Sequence, residues 1–143
     1  MTIAVFIPGH PAPQGSKRHV GGGRMVENCK NVKPWRSDIR SALLTADGVP
    51  FERFHGPVYV GMEFVMPRPK SAPKRSTPPA IKKPDVDKLA RAVLDAITSA
   101  GVWDDDSQVT SMTAGKRIAE IGQTPGLHLT IAYPVVQSVL EAA

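Results

Sequence analysis

Apolar and polar positions alternate most cleanly from Val58 to Met66. Val58, Val60, Met62, Phe64 and Met66 take one face, and Tyr59, Gly61, Glu63 and Val65 take the other. A period of two predicts a strand with one apolar face, and Pro67 ends it. Further along, the period changes to that of a helix. Leu89, Val93, Ala96, Ile97 and Ala100 recur at i, i+4, i+7, i+8 and i+11, a single apolar stripe. Pro84 precedes this segment, Asp85 suits its N-cap and Gly101 closes it. An earlier helix is expected to begin with Pro34 as its first residue, since proline has no amide to waste there. Trp35, Ile39, Ala42 and Leu43 follow at helical spacing, and Gly48 with Pro50 closes the segment. Trp35 is expected in the core, whereas Arg36 and Arg40 are expected to point away from the stripe, toward a phosphate backbone.

Three shorter runs read as strands: Ile3 to Ile7, closed by Pro8-Gly9, then Gln108 to Lys116 and Leu127 to Tyr133. The last two are joined by a turn-prone stretch around Gly122 and Pro125-Gly126. Two segments keep neither period. Residues 8–33 hold three prolines and the triplet Gly21-Gly22-Gly23, predicting a long loop or a loose hairpin with its tip at the glycines. Residues 67–84 hold six prolines among six Lys/Arg, predicting an extended basic loop. The order β–loop–α–β–loop–α–β–β predicts an α+β fold, with two helices packed on a small mixed sheet. At 143 residues the chain fits one domain, taken as residues 1–134 with a tail at 135–143, and it contains no internal repeat.

Composition narrows the chemistry. A single cysteine, Cys29, excludes an internal disulfide framework and a multi-cysteine zinc site, and the four histidines lack metal-ligand spacing. Cys29 has no evident base partner, which removes nucleophilic enzymes of the cysteine type. No run of 18 apolar residues occurs, and the first residues lack a basic region ahead of their apolar run. The expectation is a cytoplasmic protein. The net charge of +5 conceals a partition. His10 to Arg40 carries seven basic and two acidic residues, and Pro67 to Arg91 eight and two, whereas Ala92 to Asp106 has four aspartates and no base. Two strongly basic stretches on a small domain point to a polyanion partner, because neutralised phosphates release counterions. A merely solvated surface is the alternative. With only eight aromatic residues and no visible stacking sheet, a small RNA-binding domain fits less well.

Within this basic chain the acidic residues cluster: Pro84-Asp85-Val86-Asp87, then Arg91, Asp95, and Trp103-Asp104-Asp105-Asp106-Ser107-Gln108. Carboxylates placed where phosphates must arrive repel the substrate, and a divalent cation resolves the conflict. Mg²⁺ takes one or two carboxylates together with waters and phosphate oxygens. The same residues have structural readings. Asp85 can serve only as an N-cap, Asp87 can pair with Arg91 at i+4, and Asp104 to Asp106 can form a polar turn.

Lys83-Pro84-Asp85-Val86-Asp87-Lys88-Leu89, then Leu94-Asp95-Ala96, then Asp105-Asp106-Ser107-Gln108-Val109 resembles the signature of the RusA family of Holliday junction resolvases. That signature reads K-P-D-x-D-N-L-x-K, then D-A, then D-D-x-Q-V. The resemblance is close over residues 82–117 and looser over the first strand, the basic loop and the early helix. It implies a RusA-like, homodimeric endodeoxyribonuclease that depends on Mg²⁺, with Mn²⁺ as a possible substitute. Such an enzyme resolves four-way DNA junctions by paired symmetric nicks in recombination and repair. Family members are common in bacteria and their phages. Carried over, Asp85, Asp87 and Asp106 match the metal-binding aspartates, and Asp105 is the adjacent acidic position. Lys17, Arg18, Arg24, Lys70, Lys74, Arg75, Lys82, Lys83 and Lys88 are expected to line the DNA path. Two positions depart from the pattern: Lys88 replaces the usual Asn, and Arg91 the usual Lys. Arginine grips a phosphate but does not shuttle a proton. The departures leave open a catalytically weak or inactive branched-DNA-binding module.

Chain geometry sets one further expectation. A helix from Val86 to Ala100 is about 22 Å long, and residues 101–106 reach at most about 20 Å when extended. Asp106 therefore returns to Asp85 only if the helix ends early, near Thr98; otherwise it meets the aspartates of a partner subunit. The early end, with the site in one subunit near the dimer interface, is the expectation carried forward.

Overall fold

The computed structural model describes residues 1–15, 30–45 and 52–135 in full and, of 16–29, only the backbone of two short strands. Among the described residues, six strands and two α-helices follow one another as β1 (Thr2–Pro8), β2 (Lys17–His19), β3 (Met25–Glu27), α1 (Val32–Thr45), β4 (Val58–Met66), α2 (Val86–Ser99), β5 (Val109–Ile118) and β6 (Gly126–Ala132). A single 3₁₀ turn, Asp106–Gln108, leads into β5. The main sheet has the order β1-β6-β4-β5, while β2 and β3 form a separate antiparallel hairpin. Pairing is antiparallel for β1 with β6 and β4 with β6, and parallel for β4 with β5, which α2 connects. This is the α+β fold with a mixed sheet that the element order predicts.

β4 occupies the bounds its alternation implies. Val58, Val60, Met62, Phe64 and Met66 are buried under the helices, and Glu63 on the opposite face is exposed. The α2 stripe buries Leu89, Val93, Ala96 and Ile97 against the same core, each such side chain contributing roughly 1.5–3 kcal/mol when fully buried. Trp35 is buried, as expected. The first helix, however, starts at Val32 rather than Pro34, with Trp35 N donating to Asn31 O at 3.0 Å. The amides of the first turn need no intrahelical acceptor, so proline is as well accommodated at the third helical residue as at the first.

β5 stands apart. As an edge strand it is hydrogen-bonded on one side only, and its residues from Thr110 to Gly115 are all exposed. A long edge without charge over that stretch is the kind of surface proteins ordinarily cover.

Candidate active site

Asp85 sits at the N-cap of α2, with φ −69° and ψ 142°, but its side chain makes no capping hydrogen bond. The capping reading is thus half right: the position is an N-cap, and the carboxylate is free of that task. Its nearest cation is Lys88, Nζ to Oδ2 3.8 Å, which is too long for a hydrogen bond. Asp87, in the first turn, is exposed. The alternative structural reading, an i+4 pair between Asp87 and Arg91, is absent from the ion pairs among the described residues. The Arg91 guanidinium lies instead against Gly15, where a Cβ would come within 3.2 Å of one terminal nitrogen. Gly15 has φ +97°, so a side chain there is both strained and crowded.

The turn that carries Asp85 is held from the sheet. Lys116 Nζ, on β5, donates to Lys82 O at 2.6 Å and to Pro84 O at 2.8 Å. Arg68 organises the basic loop ahead of it, donating to Thr77 Oγ1 at 2.8 Å, Ala119 O at 3.2 Å, Ser76 O at 2.5 Å and Pro73 O. Lys70, Lys74, Arg75, Lys82 and Lys83 remain exposed along this loop, and Lys88 is half-buried. Lys17 and Arg18 lie on the hairpin strand β2, with side chains outside the described residues, and Arg24 and Cys29 are outside them altogether.

Arg36 and Arg40 both lie off the apolar stripe, Arg40 exposed and Arg36 half-buried, and both have partners within the protein. Arg36 donates to Gln14 Oε1 at 2.9 Å and lies 3.9 Å from Asp95 Oδ2, while Gln14 donates in turn to Asp95. Gln14 N also donates to Lys88 O at 3.0 Å. Gln14 therefore ties the segment after β1 to both helices. Arg40 reaches across to Ser99 O at 3.3 Å. The sequence carried no signal for Gln14 or for Lys116, because each acts on partners far away in the chain.

At the other end of α2, the chain turns at Gly101 (φ +77°) and buries Val102 and Trp103. Trp103 Nε1 donates to Thr98 Oγ1 at 2.7 Å, and Phe54 N to Val102 O at 2.8 Å. The helix runs to Ser99, one residue past Thr98 and one short of Ala100. Asp105 caps the following 3₁₀ turn: its Oδ2 accepts from Ser107 N at 3.0 Å, and Gln108 Oε1 accepts from the amides of Asp104 and Asp105. Gln108 Nε2 also donates to Phe54 O and Gly56 O. The hydrogen bonds from Ser107 hold the Asp105 carboxyl below the usual carboxylate range, with the Asp106 amide adding to the effect. Asp104 pairs with Arg53 at 2.6 Å. Asp106 is exposed and, with Leu94, Ser111 and Met112, borders a shallow hollow of about 400 Å³.

Asp106 comes back alongside Leu94, with which it borders that hollow. Leu94 is nine residues beyond Asp85, about 14 Å along a helix axis. Among the described residues no three carboxylate, histidine or cysteine side chains come close enough together to hold a metal ion. Asp85 and Asp87 by themselves fit a hard divalent cation: both are oxygen donors, both are accessible, and neither is spent on a cap.

The RusA endodeoxyribonuclease family matches residues 8–132. The chain belongs to the RusA family. No curated protein matches it. Membership makes it an endonuclease of the kind that resolves Holliday junctions, a hydrolase of DNA recombination whose ligand is branched DNA. RusA resolvases are generally dependent on a divalent metal. No helix among the described residues is long and apolar enough to cross a membrane.

Proposed function

We propose that this RusA protein is a homodimeric endonuclease that nicks two opposed strands of a four-way DNA junction, using Mg²⁺, or Mn²⁺ in its place. Asp85, Asp87 and Asp106 hold the ion in this reading. The observation that carries it is the pair of accessible carboxylates at Asp85 and Asp87, uncapped, at the end of a basic loop that Lys116 and Arg68 keep in shape. Bound there, a divalent ion supplies a water of lowered pKa and offsets charge building on the phosphodiester. Arg91 and Lys88 steady the scissile phosphate. Arg91 does so as a permanent cation and donor, without moving a proton. Asp105, one oxygen committed to Ser107, shapes the turn that presents Asp106 and offers only its other oxygen to an ion. Lys17, Arg18, Arg24, Lys70, Lys74, Arg75, Lys82 and Lys83 follow the DNA backbone, which suits recognition of junction shape over sequence. The setting is the cytoplasm of a bacterium, with the gene of bacterial or phage origin.

The separation along α2 favours a site completed across the dimer. The exposed β5 edge is suited to pair with its own copy. Antiparallel pairing of two β5 strands brings the end that follows Asp106 in one subunit toward the end that carries Lys116 in the other. Lys116 is the residue that grips the carbonyl of Pro84, next to Asp85.

Asp87→Asn tests the catalytic reading: nicking of a synthetic four-way junction should disappear while binding in a gel-shift assay persists. Full cleavage by that variant would overturn the assignment. One observation favours a second reading, a branched-DNA-binding module with little or no catalysis. The Lys88 ammonium, 3.8 Å from Asp85, competes with a metal ion for that carboxylate. Under that reading wild-type protein binds junctions in Mg²⁺ and leaves them whole.

A further inference from the structure

The basic loop between β4 and α2 does more than present cations. It encloses a cleft of about 590 Å³, within the range of small-ligand sites. The walls are apolar, formed by Pro69, Pro73, Pro78, Pro79 and Ile118 among others, and the lining ends with Lys82, Lys83 and Pro84. Proline walls carry no amide donor to satisfy and have a fixed φ, so such walls are stiff. Arg68 and Lys116 pin the loop from inside, which keeps the cleft preformed. Contacts to a DNA backbone alone would need the exposed lysines and no cavity at all.

The contents of the cleft follow from its mouth. Lys82 and Lys83 are exposed there, Ile81 is 83% exposed at the rim, and the next residue past the lining is Asp85. A largely apolar interior beneath a cationic rim complements a nucleotide, with its base inside and its phosphate at the lysines. We propose that this cleft receives one unstacked nucleobase of the DNA strand, adjacent to the phosphate that meets the metal ion of Asp85 and Asp87. The inference rests on the endonuclease reading above and extends it. Extruded bases are held between apolar or aromatic side chains, and unstacking costs least where pairing is already broken, as at a junction centre. Which base enters most easily then sets a preference among core sequences that phosphate contacts cannot supply.

The test uses the Asp87→Asn protein and four-way junctions carrying 2-aminopurine at each position within two nucleotides of the mapped nick. This base brightens when it leaves the stack. Binding should raise its fluorescence several-fold at one position. Ala72→Phe, which fills the cleft, and Ile81→Glu, which sets a negative charge at its rim, should each abolish the rise in junctions that remain bound. In cleavage-competent protein, Ala72→Phe should narrow the spread between best- and worst-cut core sequences on the order of tenfold. Tight binding with no brightening, or brightening equal in both variants, overturns the base pocket and leaves the endonuclease reading intact. A cleft that docks a protein segment instead would give that result. Failure of the Asp87→Asn protein to bind any junction overturns both.

Discussion

Asp105 shows how one residue of an acidic run takes on a structural task. It sits beside Asp106 in the acidic run, yet its carboxylate accepts from Ser107 and completes a reciprocal cap with Gln108. Those hydrogen bonds lower its pKa in the folded state. The stability it contributes is therefore full above the unfolded value of about 4 and is lost as pH falls through the lower folded value. The stability difference between wild type and Asp105→Ala, followed by urea unfolding, should be constant near neutral pH and shrink toward zero in acid. Loss of the difference on raising the pH would contradict the cap. Arg36 teaches the same lesson in reverse: its place opposite the apolar stripe looked free for phosphate, and Gln14 and Asp95 claim it.

At the scale of elements, the turn from Lys82 to Asp87 joins a basic loop to a helix, and a side chain from another strand sets its form. Lys116→Met removes two donated bonds to Lys82 and Pro84 carbonyls, interactions worth about 1–2 kcal/mol together once partial exposure is allowed for. Amide exchange at Leu89, whose N–H donates to Asp85 O at 3.1 Å, should speed up, and junction cleavage should fall more than junction binding. The cations ahead of that turn act differently. Lys82→Ala with Lys83→Ala should weaken binding uniformly across junction sequences and reduce the slope of log K against log salt by up to about 1.8. An unchanged slope in a salt titration would show that neither lysine meets a phosphate.

For the whole molecule, the question is which subunit of the proposed dimer supplies Asp106. Mixing Asp85→Asn protein with Asp106→Asn protein separates the two arrangements. A site shared across the dimer leaves one of the two centres intact in a mixed dimer, so single-strand nicks of the junction should reappear on a denaturing gel. A site built within one subunit stays dead in both, and no nick appears. The observed run of α2 to Ser99, with Val102 and Trp103 packed into the core after it, leads us to expect recovery.

Local pattern determined much of this protein. Alternation placed β4 at Val58–Met66, the apolar stripe placed α2, and the spaced aspartates with Gln108 carried the family. Each is a property of near neighbours, where a period or a short motif has direct physical meaning. Tertiary structure decided what those residues do with their side chains. Asp85 is left uncapped, Arg91 turns to Gly15, and Lys116 grips a turn 32 residues away. Such pairings depend on which strand lies beside which helix, and the β5 edge is exposed only because α2 delivers it to the outside of the sheet. No period in the chain records that placement.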